Sequence, residues 1–377
     1  MPVLILVLIA LTLLIPATAG AQSAASPNRP ATTRTAQAPD PAAAVLKQAD
    51  AARQQERLAE ALPLYRKAAQ LNPKSVDAWW AIGTITYDQD QFSECAAAFN
   101  RVVVLRPGEA PGWTMAGLCD YRTRSYEDAY RCLQHAERLG FQGTPELAKV
   151  GRFHLALLHS HFSNFERALV MLTLLARSEP ITPEFAAAAG IAGLRKTWLL
   201  HEVPESERPL VMTFGEALVA AFAQEPKGAV AKFEAALAAY PDNPDIHYRL
   251  GAYLMKQGLD DRAQAEMKRA LELDPDHLPV LVSLSEAARV KGELESAVSY
   301  GLRALKLAPS NFAAHLIVGR AYLSQERIAE AVAELEAAVK LAPDSPDAHY
   351  SLSLAYAAAS RSKDAVRERA EFERLKN

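Results

Sequence analysis

The sequence has few cysteines. Cys95, Cys119 and Cys132 are the only three in 377 residues, and three widely spaced cysteines make neither a disulfide framework nor a zinc cluster. Each lies in a segment with a helical pattern, so we expect small buried side chains. A Cys119–Cys132 bridge is sterically conceivable in an exported protein, and the odd count leaves at least one thiol free.

Aromatic residues and net charge are also low. Aromatics make up 7% of the chain, and the formal net charge is -3. Few aromatics together with abundant alanine favour closely packed helices over a β-sandwich. No basic run exceeds two adjacent residues, which argues against a nucleic-acid partner.

Recognisable catalytic motifs are missing from the chain. It contains no G-x-x-x-x-G-K-[ST], G-x-G-x-x-G, H-E-x-x-H, G-x-S-x-G or C-x-x-C, the patterns that place phosphates, metals or nucleophiles. His154, His159 and His161 cluster without an acidic or cysteine ligand beside them, so we expect a packing or groove role for them. We therefore expect no enzymatic activity, no metal and no cofactor.

The segment from Met1 to Ala21 carries no charged side chain. Its apolar run, Val3 to Ile15, has the length of a signal-peptide core and is short for a bilayer span. Pro16 and small-x-small sites follow, although no Lys or Arg precedes the run. We expect export to the periplasm or beyond, with an uncleaved anchor facing outside the cytoplasm as the alternative. Residues 22–41 are rich in Ser, Thr, Ala and Pro and are expected to be a disordered linker.

Beyond this linker one pattern returns with a fixed period. Ala229 is followed by Phe233, Ala236 and Pro241. The step of twelve from alanine to proline recurs along the chain, and the alanine itself recurs at a constant interval, at Ala263, Ala297, Ala331 and Ala365. Because proline cannot donate the backbone hydrogen bond, it ends each second helix. A period of this length predicts stacked helix pairs that share one core.

The first helix of each pair carries a large residue followed by a glycine. Trp79, Ile82 and Gly83 form W-x-x-I-G, and Trp113 and Gly117 repeat these types one period later. The glycine allows the second helix to approach closely. These residues resemble the tetratricopeptide repeat pattern W-x-x-L-G-x-x-Y…A-x-x-x-F…P over roughly residues 42–377. The resemblance implies an all-α fold, an α-solenoid of antiparallel helix pairs.

The repeats are interrupted once. We expect an N-terminal array of about four units over 42–182 and a C-terminal array of five units over 210–377. Between them, Thr182 and Pro183 form a good helix start. We expect this extra helix to run to about His201, unpaired, as a wedge or hinge, followed by a polar loop up to residue 209.

The resemblance also implies a concave groove lined by the first helix of each pair. His247, His315 and His349 stand at the position of the repeat that Trp79 and Trp113 occupy, here called the tryptophan position. We expect these histidines to be structural. We expect the groove to bind a protein or peptide, as a scaffold or assembly factor of the cell envelope, with a carbohydrate-binding repeat protein as the alternative. Several groove residues could instead pack only against neighbouring helices. Besides apolar positions such as Leu323 and Leu354, the candidate groove residues are Trp80, Tyr87, Tyr121, Arg122, Phe153, Tyr248, Arg289, Arg320 and Tyr350.

Overall fold

A computed structural model describes residues 40–177, 181–223 and 226–376 of the chain, without the side chains of 226 and 227. All regular elements in these ranges are helices, and no strand occurs among them. The expected all-α repeat fold is confirmed. The expected signal segment and nearly all of the expected linker lie outside the described residues. Packing divides the helices into two units, with the division between His159 and Ser160.

The first unit holds three complete helix pairs and most of a seventh helix. Its first helices are α1, α3, α5 and α7, and α2, α4 and α6 follow them as second helices. The bounds are α1 Pro41–Gln54, α2 Leu58–Leu71, α3 Val76–Asp88, α4 Phe92–Leu105, α5 Ala110–Arg122, α6 Tyr126–Arg138 and α7 Pro145–His161.

The second unit contains the end of α7 and twelve further helices. From α10 onwards the even-numbered helices are the first helices of their pairs. The bounds are α8 Phe165–Ala176, α9 Pro183–Gly193, α10 Arg208–Phe222, α11 Pro226–Ala239, α12 Pro244–Lys256, α13 Asp260–Leu273, α14 Leu278–Lys291, α15 Leu294–Leu307, α16 Phe312–Ser324, α17 Ile328–Leu341, α18 Pro346–Ala358 and α19 Ser362–Lys376.

The turn between pairs has a regular chemistry. The residue before each proline is extended, as at Ala308 (φ -138°, ψ 83°), because proline disfavours a helical conformation in its predecessor. Two residues after the proline, a polar side chain caps the next helix at several turns, although Glu109 before α5 makes no such hydrogen bond. Asn311 Oδ1 accepts from Ala314 N at 2.9 Å, and Asn243 Oδ1 accepts from Ile246 N at 3.1 Å. The proline and the cap together fix where each pair ends and the next begins.

In the four pairs from α12 to α19, the turn inside the pair uses one left-handed residue. In the C-terminal pairs these residues are Gly258, Gly292, Glu326 and Ser360, each with φ between 58° and 80°. They are spaced by the same interval as the repeated alanines, so the period seen in the side chains is also a period of the backbone. Glycine adopts this conformation without a steric cost, whereas other residues pay for it.

Close approach of the paired helices depends on glycine, as the sequence predicts. A Cβ placed on Gly319 of α16 would lie 2.6 Å from Cγ of Leu335 on α17. Ala331 and Leu335 are fully buried in the same cluster. First helices also contact one another, α14 with α16 and α16 with α18. The first helices therefore form one layer of the second unit.

The extra helix differs from the prediction in two ways. It begins as expected, with the Thr182 hydroxyl accepting from Phe185 N at 3.3 Å, but α9 ends at Gly193 and not near His201. It is also not unpaired, because it packs closely against α10. A Cβ on Gly215 would lie 1.9 Å from the carbonyl oxygen of Ala186. Glycines on both helices bring the two backbones into contact, so α9 is part of the packed unit.

The cysteine pairing also differs from the expectation. Cys119 of α5 is bonded to Cys95 of α4, with their Cα atoms 5.8 Å apart, so it forms no bridge with Cys132. The two bonded residues lie where α4 packs on α5. Cys132 is a buried free thiol, 3.9 Å from Oδ2 of Asp120. Burial raises the pKa of this thiol to about 12, which makes it unreactive.

Pro41, the last residue of the predicted linker, belongs to the first helix. Asp40 caps α1 through a hydrogen bond from Ala42 N to its Oδ1, 3.0 Å long, and Pro41 is the first helical residue. A proline at this position is favoured because its missing N–H is not needed there.

Candidate partner-binding groove

A surface cavity of the second unit lies on the layer of first helices. It is about 240 Å³ in volume and is bordered by α14, α16 and α18. Tyr350 and Leu354, one turn apart on α18, are 37% and 42% exposed. Two predicted groove residues, Arg289 and Arg320, reach the same cavity, and the remaining lining residues are Leu323, Ser324 and Ser351.

The two arginines of the cavity are held differently. Arg289 donates from Nε and Nη2 to the two carboxylate oxygens of Glu286, at 2.8 and 2.7 Å. Arg320 donates from Nε to the hydroxyl of Ser351 at 2.8 Å. Its ion pair with Asp347 is long, 3.7 Å from Nη2 to Oδ1. Arg289 is thus neutralised within its own helix, whereas Arg320 is oriented mainly by a neutral group.

Tyr248 is not part of an exposed groove. It is only 8% exposed, with its ring 5.2 Å from the His277 ring and the guanidinium of Arg249 4.8 Å from its centre. Arg249 in turn pairs with Glu166 of α8 at 2.5 Å. Tyr248 packs in one buried cluster with Met267 of α13 and with Val280 and Leu284 of α14.

A buried ionic cluster lies beside Tyr248. Arg195, which follows α9, donates to Asp245 of α12 at 2.7 Å and lies 3.4 Å from Asp274. His277 Nδ1 accepts from Val280 N at 3.3 Å, which leaves Nε2 to donate to Asp245 at 3.2 Å. Burial alone disfavours the Asp245 carboxylate, but the hydrogen bond from His277 and the Arg195 guanidinium hold its pKa below the ordinary value.

In the first unit, Tyr87 and Arg122 lie together at one turn. The Arg122 guanidinium stacks 3.9 Å from the centre of the Phe92 ring and pairs with Asp90 at 3.2 Å. The Tyr87 ring meets Phe92 edge to face, with centroids 5.6 Å apart. Burial raises the pKa of Tyr87. These groups bind one another and fix the turn between α3 and α4.

The remaining predicted residues of the first unit are half-buried. Tyr121 meets His154 edge to face at 4.7 Å, and Phe153 lies 6.0 Å from the same histidine. The pKa of His154 is lowered by burial. Trp80 packs on Phe99 with centroids 5.2 Å apart. The predicted residues Tyr121 and Phe153 thus pack on one histidine, and Trp80 packs in a separate pair with Phe99.

Histidines at the tryptophan position are structural, as the sequence suggests. Trp113 Nε1 donates to the Pro107 carbonyl at 2.8 Å, and in the second unit His349 Nε2 makes the equivalent contact with Pro343 at 3.0 Å. The second ring nitrogen of His349 faces Glu368 at 2.7 Å. His247 and His315 repeat both contacts, with Glu266 and Glu334 at 2.7 and 2.6 Å. The hydrogen bond to Glu266 raises the pKa of His247.

Two residues important for the groove had no signal in the repeat. Arg195 belongs to the interruption and has no counterpart in other units, and Ser351 orients Arg320 from a position that the pattern leaves free.

Over the described ranges, no group of three or more His, Cys, Asp and Glu side chains is arranged to hold a metal ion. In the same ranges, no helix is both long and apolar enough to cross a membrane.

Comparison with known families supports the repeat assignment. The profile of the middle tetratricopeptide-like domain of cilia and flagella-associated protein 70 matches residues 223–376. A general tetratricopeptide repeat profile matches residues 46–110. Both matches are to tetratricopeptide-type repeats, in agreement with the stacked helix pairs of the structure. Repeats of this type generally mediate protein–protein interaction, and protein binding is the class of function that the fold supports.

Similar individual proteins add little beyond the fold. The chain is 27% identical over 267 residues to the protein CTR9 homolog of Arabidopsis thaliana, covering 66% of this chain and 24% of that protein. It therefore spans about a quarter of that relative. MamA from Desulfovibrio magneticus RS-1 has a TM-score of 0.41 at 18% identity, covering 44% of this chain and 94% of MamA. A second MamA structure has a TM-score of 0.41 at 22% identity, covering 45% and 92%. Likenesses of this size say nothing about what the chain binds.

Proposed function

We propose that the chain is a non-enzymatic scaffold or assembly factor that binds a segment of a partner protein in the cavity bordered by α14, α16 and α18. One observation carries this proposal: Tyr350 and Leu354 are exposed side by side next to two arginines. Aromatic residues and arginine are enriched at the energetic centres of protein interfaces. A helix groove with apolar positions one turn apart suits an extended or helical peptide.

The exposed surface favours a protein over a carbohydrate. Sugar rings stack on the faces of exposed aromatic side chains, usually on several of them. Among the described residues, Tyr350 is the only aromatic side chain in the exposed class. The rings of the first unit are engaged with one another and offer no such platform.

The test is capture of partners from an extract of the native host. Leu354→Glu places a charge on the proposed contact surface. Leu302→Glu on α15 is a matched control, because Leu302 is 44% exposed and Leu354 is 42% exposed. We expect Leu354→Glu to lose the specific partner and Leu302→Glu to retain it. Equal capture by both variants would contradict the proposal.

The proposed location is outside the cytoplasm. It is supported by the apolar, uncharged character of the segment from Met1 to Ala21 and by the Cys95–Cys119 disulfide, since disulfides persist in oxidising compartments. Cell fractionation with alkylation and mass spectrometry of the native protein tests it. We expect a mature chain in the exported fraction with Cys95 and Cys119 protected from alkylation. A reduced protein in the cytoplasm would overturn this part of the proposal.

A further inference from the structure

The cavity has a specific combination of charge and apolar surface. Its cationic part is Arg320, and its apolar part is formed by Tyr350 and Leu354 on the neighbouring helix. None of the residues that line it is acidic. A ligand that matches this surface must therefore bring a negative group and an apolar group close together.

Of the two arginines, only Arg320 has no carboxylate within hydrogen-bond distance. Nε and Nη2 of Arg289 both donate hydrogen bonds to the carboxylate of Glu286. The Arg320 guanidinium instead donates to the Ser351 hydroxyl and weakly to the Asp347 carbonyl, 3.4 Å away. Ser351 donates its own proton to that same carbonyl at 2.7 Å, so its oxygen is turned to accept from Arg320. The Asp347 carboxylate is 78% exposed and 3.7 Å from the guanidinium, too far for a hydrogen bond.

The size of the cavity limits what it holds. Sites for whole small molecules are usually about 300–1,000 Å³, and this cavity is about 240 Å³. One or two side chains of a peptide fit a volume of this size. Arg320, whose ion pair with Asp347 is long and exposed, matches the charge of one further carboxylate, whereas phosphate recognition typically relies on a cluster of arginines.

The chain's own N-terminal segment has the wrong charge for this cavity. Residues 1–39 contain Arg29 and Arg34 and neither aspartate nor glutamate. Charge complementarity therefore favours a segment of another protein.

We propose that this cavity selects an acidic residue adjacent to a large apolar residue in the partner segment. The carboxylate lies against Arg320, and the apolar side chain packs on Tyr350 and Leu354. This inference rests on the proposed function and names the chemistry of the segment that the groove accepts.

The experiment is selection of a random peptide library, displayed on phage, against the full-length protein. We expect the selected peptides to be enriched in Asp or Glu next to Leu, Ile, Phe or Trp. A synthetic copy of the strongest peptide is then titrated by fluorescence polarisation. Because a hydrogen bond to a charged group contributes about 1.5–3 kcal/mol, we expect Arg320→Gln to weaken its binding by about tenfold or more. Arg320→Lys keeps the charge but loses the planar fork and should give a smaller loss.

Two controls separate the alternatives. Arg289→Gln should change the affinity by less than about threefold, because that arginine is already neutralised. If the selected peptides are not enriched in acidic residues but still fail to bind Leu354→Glu, the charge inference is overturned and the proposed groove stands. Peptides that bind Leu354→Glu as well as the wild type would overturn the groove itself. Tighter binding after phosphoserine replaces the acidic residue would show that the preferred group is a phosphate, and would also overturn the inference.

Discussion

Tyr248 and Tyr350 occupy the same position of the repeat, three periods apart, yet one is buried and the other is exposed. The ring of Tyr248 lies beside His277 and under the Arg249 guanidinium. The ring of Tyr350 packs against α19, 5.2 Å from the Phe372 ring and 5.1 Å from the Arg369 guanidinium. Identical residues at identical repeat positions therefore have different surroundings, buried near the interruption and partly exposed at the C-terminal end.

This difference predicts unequal effects on stability. Tyr248→Ala removes a buried ring and should lower the free energy of unfolding by about 3 kcal/mol. Tyr350→Ala removes a half-exposed ring and should lower it by about 1 kcal/mol. Urea unfolding followed by circular dichroism measures both. Equal losses would mean that the two positions are packed alike, contrary to the structure.

The contact between α9 and α10 predicts a large effect of a single methyl group. Gly215→Ala would place a Cβ 1.9 Å from the carbonyl oxygen of Ala186, so the helices must separate. We expect a loss of about 3 kcal/mol or more, at the upper end of the usual cost of overpacking. Gly108→Ala is the matched control, because nothing lies within 4 Å of its added Cβ. A small effect of Gly215→Ala would show that α9 is not packed as described.

The His247–Glu266 pair predicts a pH-dependent contribution to stability. The hydrogen bond to Glu266 raises the pKa of His247 above its ordinary value of 6.5. Its stabilising effect is therefore fully present below pH 6.5 and is lost as the pH rises through the raised folded-state pKa. We expect His247→Gln to cost about 1 kcal/mol more at pH 5.5 than at pH 8.5.

Denaturant titrations at the two pH values measure this cost, with His201→Gln as a control at an exposed histidine. A cost that is greater at the higher pH would have the wrong sign for this pair.

The Cys95–Cys119 bond predicts a redox-dependent stability. It closes a loop with a sequence separation of 24 residues, for which a disulfide contributes about 2–4 kcal/mol. Adding a reductant should lower the midpoint of thermal melting of the wild type and of Cys132→Ala. The Cys95→Ala/Cys119→Ala variant should melt at the same temperature with and without reductant. Reductant sensitivity that follows Cys132 would contradict the pairing.

The repeated parts of the fold follow from the sequence because each unit obeys the same local rules. At the α16–α17 pair, Pro309 and the Asn311 cap fix where α16 begins, and Gly319 lies opposite Leu335. The His247, His315 and His349 contacts follow from the same period. Here local preference and tertiary packing agree.

The interruption could not be predicted in the same way. The ionic cluster around Asp245 depends on Arg195, which lies outside the repeats, far earlier in the chain, and meets Asp245 only in the folded unit. The cysteine pairing likewise depends on which faces of α4, α5 and α6 meet, and all three cysteines lie in one cluster. Periodicity identifies the helices, but it does not say which segment covers a given part of the groove.

The central claim is that the partner contacts the face of α14, α16 and α18 and not the second helices. A photo-reactive benzoylphenylalanine placed at Leu354 tests it directly in the native host, with the same residue at Leu302 for comparison. We expect a discrete crosslinked product from position 354 that is absent from position 302, and mass spectrometry should map it to one segment of one partner. Equal crosslinking from both positions, or crosslinking from position 302 alone, would contradict the account.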